Sequence, residues 1–301
     1  MAIQSGGPIL STSGYTPFTK VLRVNGLKLI TLPAIGGATA VSDAWTKKVA
    51  RTIQLMFGSG GSIDSTDQLD TMTQMSNRST VQRLGYSSPG SYSPSVVADN
   101  ANDNYPGIDY TGYINSMVDY IWEVAAGNDA VMEVVEHLLH TITVFGLQHS
   151  YPTKMNQTNQ TSDIYLAMQQ AITTNGSDGN PIFDTSGYSG SMSDPDFRAL
   201  LMREYYYLLV ASEWNYINEF VDGDSLASEW NDSAKTSAGV QTYNALGHQL
   251  YLDTAAKVLT APNTSTMSTI FASGDNSNYQ ADYGQISASG GVTIGAGITL
   301  G

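Results

Sequence analysis

The segment "VMEVVEHLLHTITVFGLQHSYP", residues 131–152, sets the strongest limit on how this chain can fold. At about 100° per residue, Val131, Val135, Leu138 and Ile142 share one helical face. Glu133, Glu136, His137 and His140 fall on the opposite face. The following turn, "TITVFGL", is apolar on every side, so the helix runs into an interior that other elements must build around it. A water-facing stripe normally mixes Lys with Glu, whereas this one carries only Glu and His. Imidazoles at the dry end of a helix need partners.

The spacing gives those side chains one chemistry in common. His137 and His140 are i,i+3, while Glu133–His137 and Glu136–His140 are i,i+4, and both spacings bring side chains together. Zinc takes imidazole and carboxylate, and two ligands from one helical turn begin its tetrahedron. The plainer alternative is a satisfied polar cluster with no ion. The zincin pattern is H-E-x-x-H, and here the first pair is inverted, as Glu136-His137-x-x-His140. Gly146 and His149 come too late for the metzincin continuation, and Glu133 stands where the inverse pattern H-x-x-E-H needs histidine.

A third ligand is sought in "ALLMREYYYLLVASEWNYINEF", a segment apolar nearly all round and therefore a central helix. Its Glu204 needs a positive partner when buried, either a metal or an arginine such as Arg203. Tyr205, Tyr206 and Tyr207 follow, able to donate to an oxyanion or simply to pack. His248 reads as a structural histidine. No G-x-S-x-G elbow, P-loop or dinucleotide fingerprint points to another chemistry.

Composition narrows the classes further. The chain has 301 residues and 13% charged residues, about half the usual share, and its net charge is −14. A nucleic-acid groove needs clustered Lys and Arg, and no basic run exists. With no cysteine, thiolate chemistry and disulfides are excluded. No stretch approaches about 20 apolar residues, so no membrane-spanning helix is expected. The start, "MAIQSGGPILSTSGYTPF", lacks the basic and apolar regions of a secretory signal, and none is expected. A low-charge chain of this kind fits a virion or extracellular location.

Along the chain, residues 1–19 read as an extended arm and Asn25-Gly26 as a tight hairpin turn. Ser42 caps a helix carrying Trp45, Val49, Ile53 and Met56, and a second helix is expected near 65–75. Residues 76–112 read as turns, with Asp99, Asn102 and Asp103 only loosely like a calcium loop. "TGYINSMVDYIWEVA" reads as a helix, and Asn128 as the cap of the next one. Further helices are expected at 162–174, 195–220, 241–259 and 264–272. The tail "GGVTIGAGITLG" alternates as a strand does. The expected fold is mainly α (α+β): a helical domain over 20–275, an N-terminal β-hairpin, and an extended Gly-rich strand tail over 276–301.

The segments "VLRVNGLKLITLPAI", "TVQRLGY", "VVEHLLHTIT", "REYYYLLVASEW" and "SLASEWNDSAKTSAGVQTYNALGHQLY" resemble a family of uncharacterised proteins from marine bacteria and their phages, over roughly residues 20–275. That family is similar to metalloproteases in its Glu-His-x-x-His-Thr helix, here Glu136 to Thr141. The resemblance implies a metallopeptidase-like domain and directs attention to Glu136, His137 and His140.

Two functions remain in view. The favoured one is a structural component of a virion or extracellular assembly, a phage tail or capsid-associated protein, built on the metallopeptidase-like domain. Its extended ends would join copies of itself or other structural subunits by strand addition. The alternative is a zinc-dependent hydrolase, a peptidase by class. There His137 and His140 are ligands, Glu204 or Glu133 completes the set, and Glu136 is the general base.

Overall fold

The computed structural model describes residues 3–15, 17–35, 39–86, 118–123, 126–221, 227–272, 292–294 and 298–300. A five-stranded mixed sheet runs in the order β1 (Leu10–Tyr15), β2 (Phe18–Val24), β3 (Leu27–Thr31), β4 (Val81–Tyr86), β5 (Tyr120–Glu123). The first three strands are antiparallel neighbours, and β3, β4 and β5 are parallel. The segment read as an arm thus supplies the edge strand β1. The β2–β3 turn is the expected one: Asn25 and Gly26 both have positive φ, 44° and 85°, between the pair Val24↔Leu27.

Gly26 also allows a close approach. A Cβ there would lie 2.3 Å from the Met72 carbonyl oxygen. Gly26→Ala therefore combines a left-handed backbone penalty with a steric clash, and should destabilise the protein by roughly 3 kcal/mol. Urea denaturation measures this, with Asn25→Gly as a turn variant that should lose far less.

Two helices cross from β3 to β4. In α1 (Asp43–Met56) the Ser42 hydroxyl accepts from the Trp45 amide at 3.0 Å, and Trp45, Val49, Ile53 and Met56 are buried as expected. Glu123 at the end of β5 receives the Ser42 amide and hydroxyl at 2.9 and 2.8 Å, tying the start of α1 to the sheet. α2 (Ser65–Asn77) is capped by Asp64.

The polar readings of two strands are corrected. Val81–Tyr86 was expected among turns, but it is a buried central strand in which Gln82 and Arg83 find partners. Tyr120–Glu123 was expected in a helix, but it pairs with β4. The expected α+β class holds, but the strands are not confined to the ends of the helical domain, since β4 and β5 extend the sheet from within it. Asp99, Asn102 and Asp103 lie outside the described residues.

The long helix α3 (Asn128–Ser150) is α-helical to Ile142, passes through a π-helical turn at Thr143–Leu147, and resumes at Gln148–Ser150. Gly127, with φ 81°, is its N-cap, so Asn128 is its first residue and not its cap. Its 23 residues are long and apolar enough to cross a membrane by length and composition, contrary to the sequence expectation. However, 83% of its most apolar window is buried inside this fold. It packs against β5, α1 and α5 (Pro195–Glu213).

The remaining helices are α4 (Asp163–Thr173), α6 (Tyr216–Phe220), α7 (Ser237–Tyr243), α8 (Ala245–Asp253), α9 (Ala255–Val258) and α10 (Thr264–Ile270). The helix expected over 195–220 breaks at Asn215, which is left-handed at φ 63°. The one expected over 241–259 is three short helices. In the tail, β6 (Val292–Ile294) and β7 (Ile298–Leu300) pair antiparallel with each other, so the single extended strand expected there is a pair.

Candidate metal centre

α3 and α5 meet where the polar stripe of α3 faces Glu204. One nitrogen of His140 and one carboxylate oxygen each from Glu136 and Glu204 lie within 4.8 Å of one another. Helical spacing explains the first two, since Glu136 and His140 are one turn apart. Glu204 arrives because α5, buried along most of its length, packs directly against α3.

His140 is the fixed point. Its side chain is 2% exposed. Its Nδ1 donates to Asp119 Oδ2 at 2.8 Å. Its Nε2 is 3.4 Å from Glu204 Oε2, an ion-pair distance, yet the alignment makes no hydrogen bond and this buried nitrogen has no other partner among the described residues. The Tyr207 ring stands edge-on to the imidazole, 5.3 Å between centroids.

The electrostatics are those of too much negative charge in a dry place. Burial, the largest influence, opposes charge on His140, but Glu204 and the bond to Asp119 outweigh it and push the ring up to about 9. Burial pushes Glu136 up to about 6. His137 and His140 oppose that rise, while Glu204 and Glu133 add to it. For Asp119, burial is likewise the largest influence and is overcome by His140 and then Arg203 and His137, which hold the carboxyl well below its usual range. A divalent cation and a proton on His140 are two ways of relieving the same excess charge.

The donor set passes a chemical test for such a cation. Imidazole nitrogen with carboxylate oxygens is a zinc set, and two carboxylates neutralise a divalent ion. The buried Nε2, which faces Glu204 without a hydrogen bond among the described residues, is the atom such an ion would satisfy. Ligands at about 2.0–2.2 Å from a tetrahedral ion stand about 3.4 Å apart, the separation that His140 Nε2 and Glu204 Oε2 keep.

The other sequence candidates lie outside this group of three. Glu133 Oε1 accepts from the Trp122 amide at 2.8 Å and joins α3 to β5. His137 Nδ1 donates to the Glu133 backbone carbonyl at 2.9 Å. His149 Nδ1 receives Arg78 Nη2 at 2.9 Å, and burial together with that charge pushes the ring down to about 4. His248 bonds the buried Glu213 at 2.8 Å. Tyr205 and Tyr206 are core residues bonded to Asn244 and Thr254. Asp119 was missed by the sequence reading. It lies in the chain just before β5, 21 positions before His140, and no periodicity connects them.

A stability effect follows from Glu136. Its folded pKa of about 6 exceeds the ordinary 4.5. This group's contribution is therefore fully present below pH 4.5 and is lost as pH rises through about 6. Glu136→Gln should thus stabilise the metal-free protein by about 2 kcal/mol near neutral pH and lose that advantage in acid. Denaturation at the two pH values checks the sign.

No family model matches the chain, and no curated protein or solved structure matches it.

Proposed function

We propose that the chain is a divalent-metal protein of metallopeptidase-like design, with zinc-dependent hydrolysis of a carbonyl substrate as its chemistry. The observation that carries this reading is the convergence of Glu136, Glu204 and the Nε2 of buried His140, which makes no hydrogen bond among the described residues. Zinc held there would supply Lewis-acid polarisation of a carbonyl and activation of water. In this arrangement Glu136 is a ligand, not the general base that its sequence position suggested. His137, whose Nδ1 is committed to a backbone carbonyl, keeps Nε2 as the nitrogen able to take and return a proton. Tyr207, buried edge-on beside His140, stays a neutral phenol, because burial and the charges of Glu136, Glu229 and Glu204 all oppose its ionisation.

The test is a zinc titration against a chromogenic chelator, followed by peptide hydrolysis with and without metal. The expected result is about one tight site per chain and hydrolysis that a chelator stops. No site on the wild-type chain would sink the reading.

One observation favours a second reading. β1 is the terminal strand of its sheet, and Leu10 on it is 55% exposed. An open edge is a template for strand addition. This supports a structural subunit of a virion or extracellular assembly, joined to copies of itself or to other subunits through its ends. Light scattering decides it: a stable oligomer broken by Ser13→Pro in β1 supports this reading, and a monomer at all concentrations removes it.

A further inference from the structure

We infer that Asp119 is the positioning residue of the centre, held in place by Gln82 and Arg83 of β4 so that His140 presents Nε2 to the two glutamates; this rests on the metal reading above.

The inference starts from an oddity of β4. Val81–Leu84 are all buried, yet two of them are Gln82, fully buried, and Arg83, 6% exposed. Polar side chains in a core strand cost free energy unless their bonds are made. Both are spent on one stretch of backbone. Gln82 Nε2 donates to the Asp119 carbonyl at 3.1 Å, and Arg83 Nε reaches the same oxygen at 3.4 Å. Arg83 Nη2 donates to the Val118 carbonyl at 2.9 Å, and its guanidinium lies 4.2 Å from the centroid of the Tyr120 ring. Burial alone lowers the Arg83 pKa, with Tyr120 and Asp119 opposing.

The parallel register explains the reach. Arg83 is paired with Tyr120, so the side chains at 82 and 83 overlap the chain as it enters β5. The same Gln82 closes the circuit to the helix: its Oε1 accepts from the Thr141 hydroxyl at 2.6 Å, next to His140. Sheet, entering chain and helix are thereby locked around one carboxylate. A carboxylate accepting from Nδ1–H selects one tautomer and leaves the electron pair on Nε2. It also raises the basicity of that nitrogen, the usual role of the outer partner of a metal-bound histidine.

A merely structural Asp119 would only neutralise a charged ring, and its loss would lower stability without changing metal affinity. The experiment compares wild type, Asp119→Asn and Asp119→Ala in the zinc titration. Circular dichroism and histidine ¹⁵N spectra of the zinc-loaded proteins accompany it. Asn keeps an acceptor for Nδ1–H, whereas Ala does not. The expected result is an affinity loss of about 10–100-fold in Asp119→Ala, a smaller loss in Asp119→Asn, and unchanged helical signal. In the wild type, the ¹⁵N pattern should show protonated Nδ1 and ligated Nε2 on His140. Zinc bound equally by wild type and Asp119→Ala would overturn the positioning role while leaving the metal reading intact. Absence of zinc from the wild type would remove both.

Discussion

His140→Ala should abolish zinc binding and destabilise the metal-free protein as well. Loss of an outer partner typically costs 10–100-fold in metal affinity, so loss of the ligand itself should exceed about 100-fold. The stability effect has a separate cause. His140 is the shared partner of Asp119 at 2.8 Å and Glu204 at 3.4 Å, and both carboxylates are partly shielded from water. Removing one member of a buried charge pair costs about 3–5 kcal/mol, because the other is left uncompensated. Glu204→Gln separates the two effects: it removes a ligand and an excess negative charge together, so affinity should fall while stability is largely kept. Zinc titration and urea melts on both variants give the two numbers. Full zinc occupancy in His140→Ala would place the ion elsewhere.

Asn244→Leu should be the most damaging exchange away from the centre. Asn244 sits between α7 and α8 and is fully buried. Its Oδ1 accepts from the Tyr205 hydroxyl at 2.6 Å, and its Nδ2 donates to the Ala167 carbonyl and Gln170 Oε1, each at 3.0 Å. One amide thus joins α4, α5 and α8. Leucine fills a similar volume but strands the Tyr205 hydroxyl in the core, and each unsatisfied buried group costs about 1–3 kcal/mol. The expected loss is about 4 kcal/mol in all, or roughly 10 °C in Tm. A lower urea midpoint at constant slope would identify it as a native-state effect. A midpoint equal to that of the wild type would show that water enters to replace the amide.

What the sequence made legible was local. Asn25-Gly26 specifies its turn because both residues tolerate positive φ, and Ser42 specifies the start of α1 because its hydroxyl reaches the third amide onward. Glu136, His140 and Glu204 were in reach because spacing along α3, and the apolar surroundings of Glu204 on α5, are one-dimensional signals. β4 and β5 were not legible. "VQRLGY" carries Gln and Arg, which read as solvent-facing until the carbonyls that satisfy them are known. "YIWE" is too short for its period to show. Asp119 depends on both strands and so was hidden with them. The grouping of Glu136, and not His137, with His140 and Glu204 likewise needed the second helix, since both residues are on the polar stripe and only the position of Glu204 separates them.

The π-helical turn at Thr143–Leu147 has its own consequence. Such a turn is equivalent to one residue inserted into an α-helix, and so to a phase change of about 100° in everything after it. Upstream, the phase of α3 is set by α5 and the carboxylates; downstream, it is set by α2, where His149 meets Arg78. The turn is the seam between two clocks running at different offsets on one rod. Deleting a single residue there would reset the far end of the rod against α2 without retiming the end that carries His140.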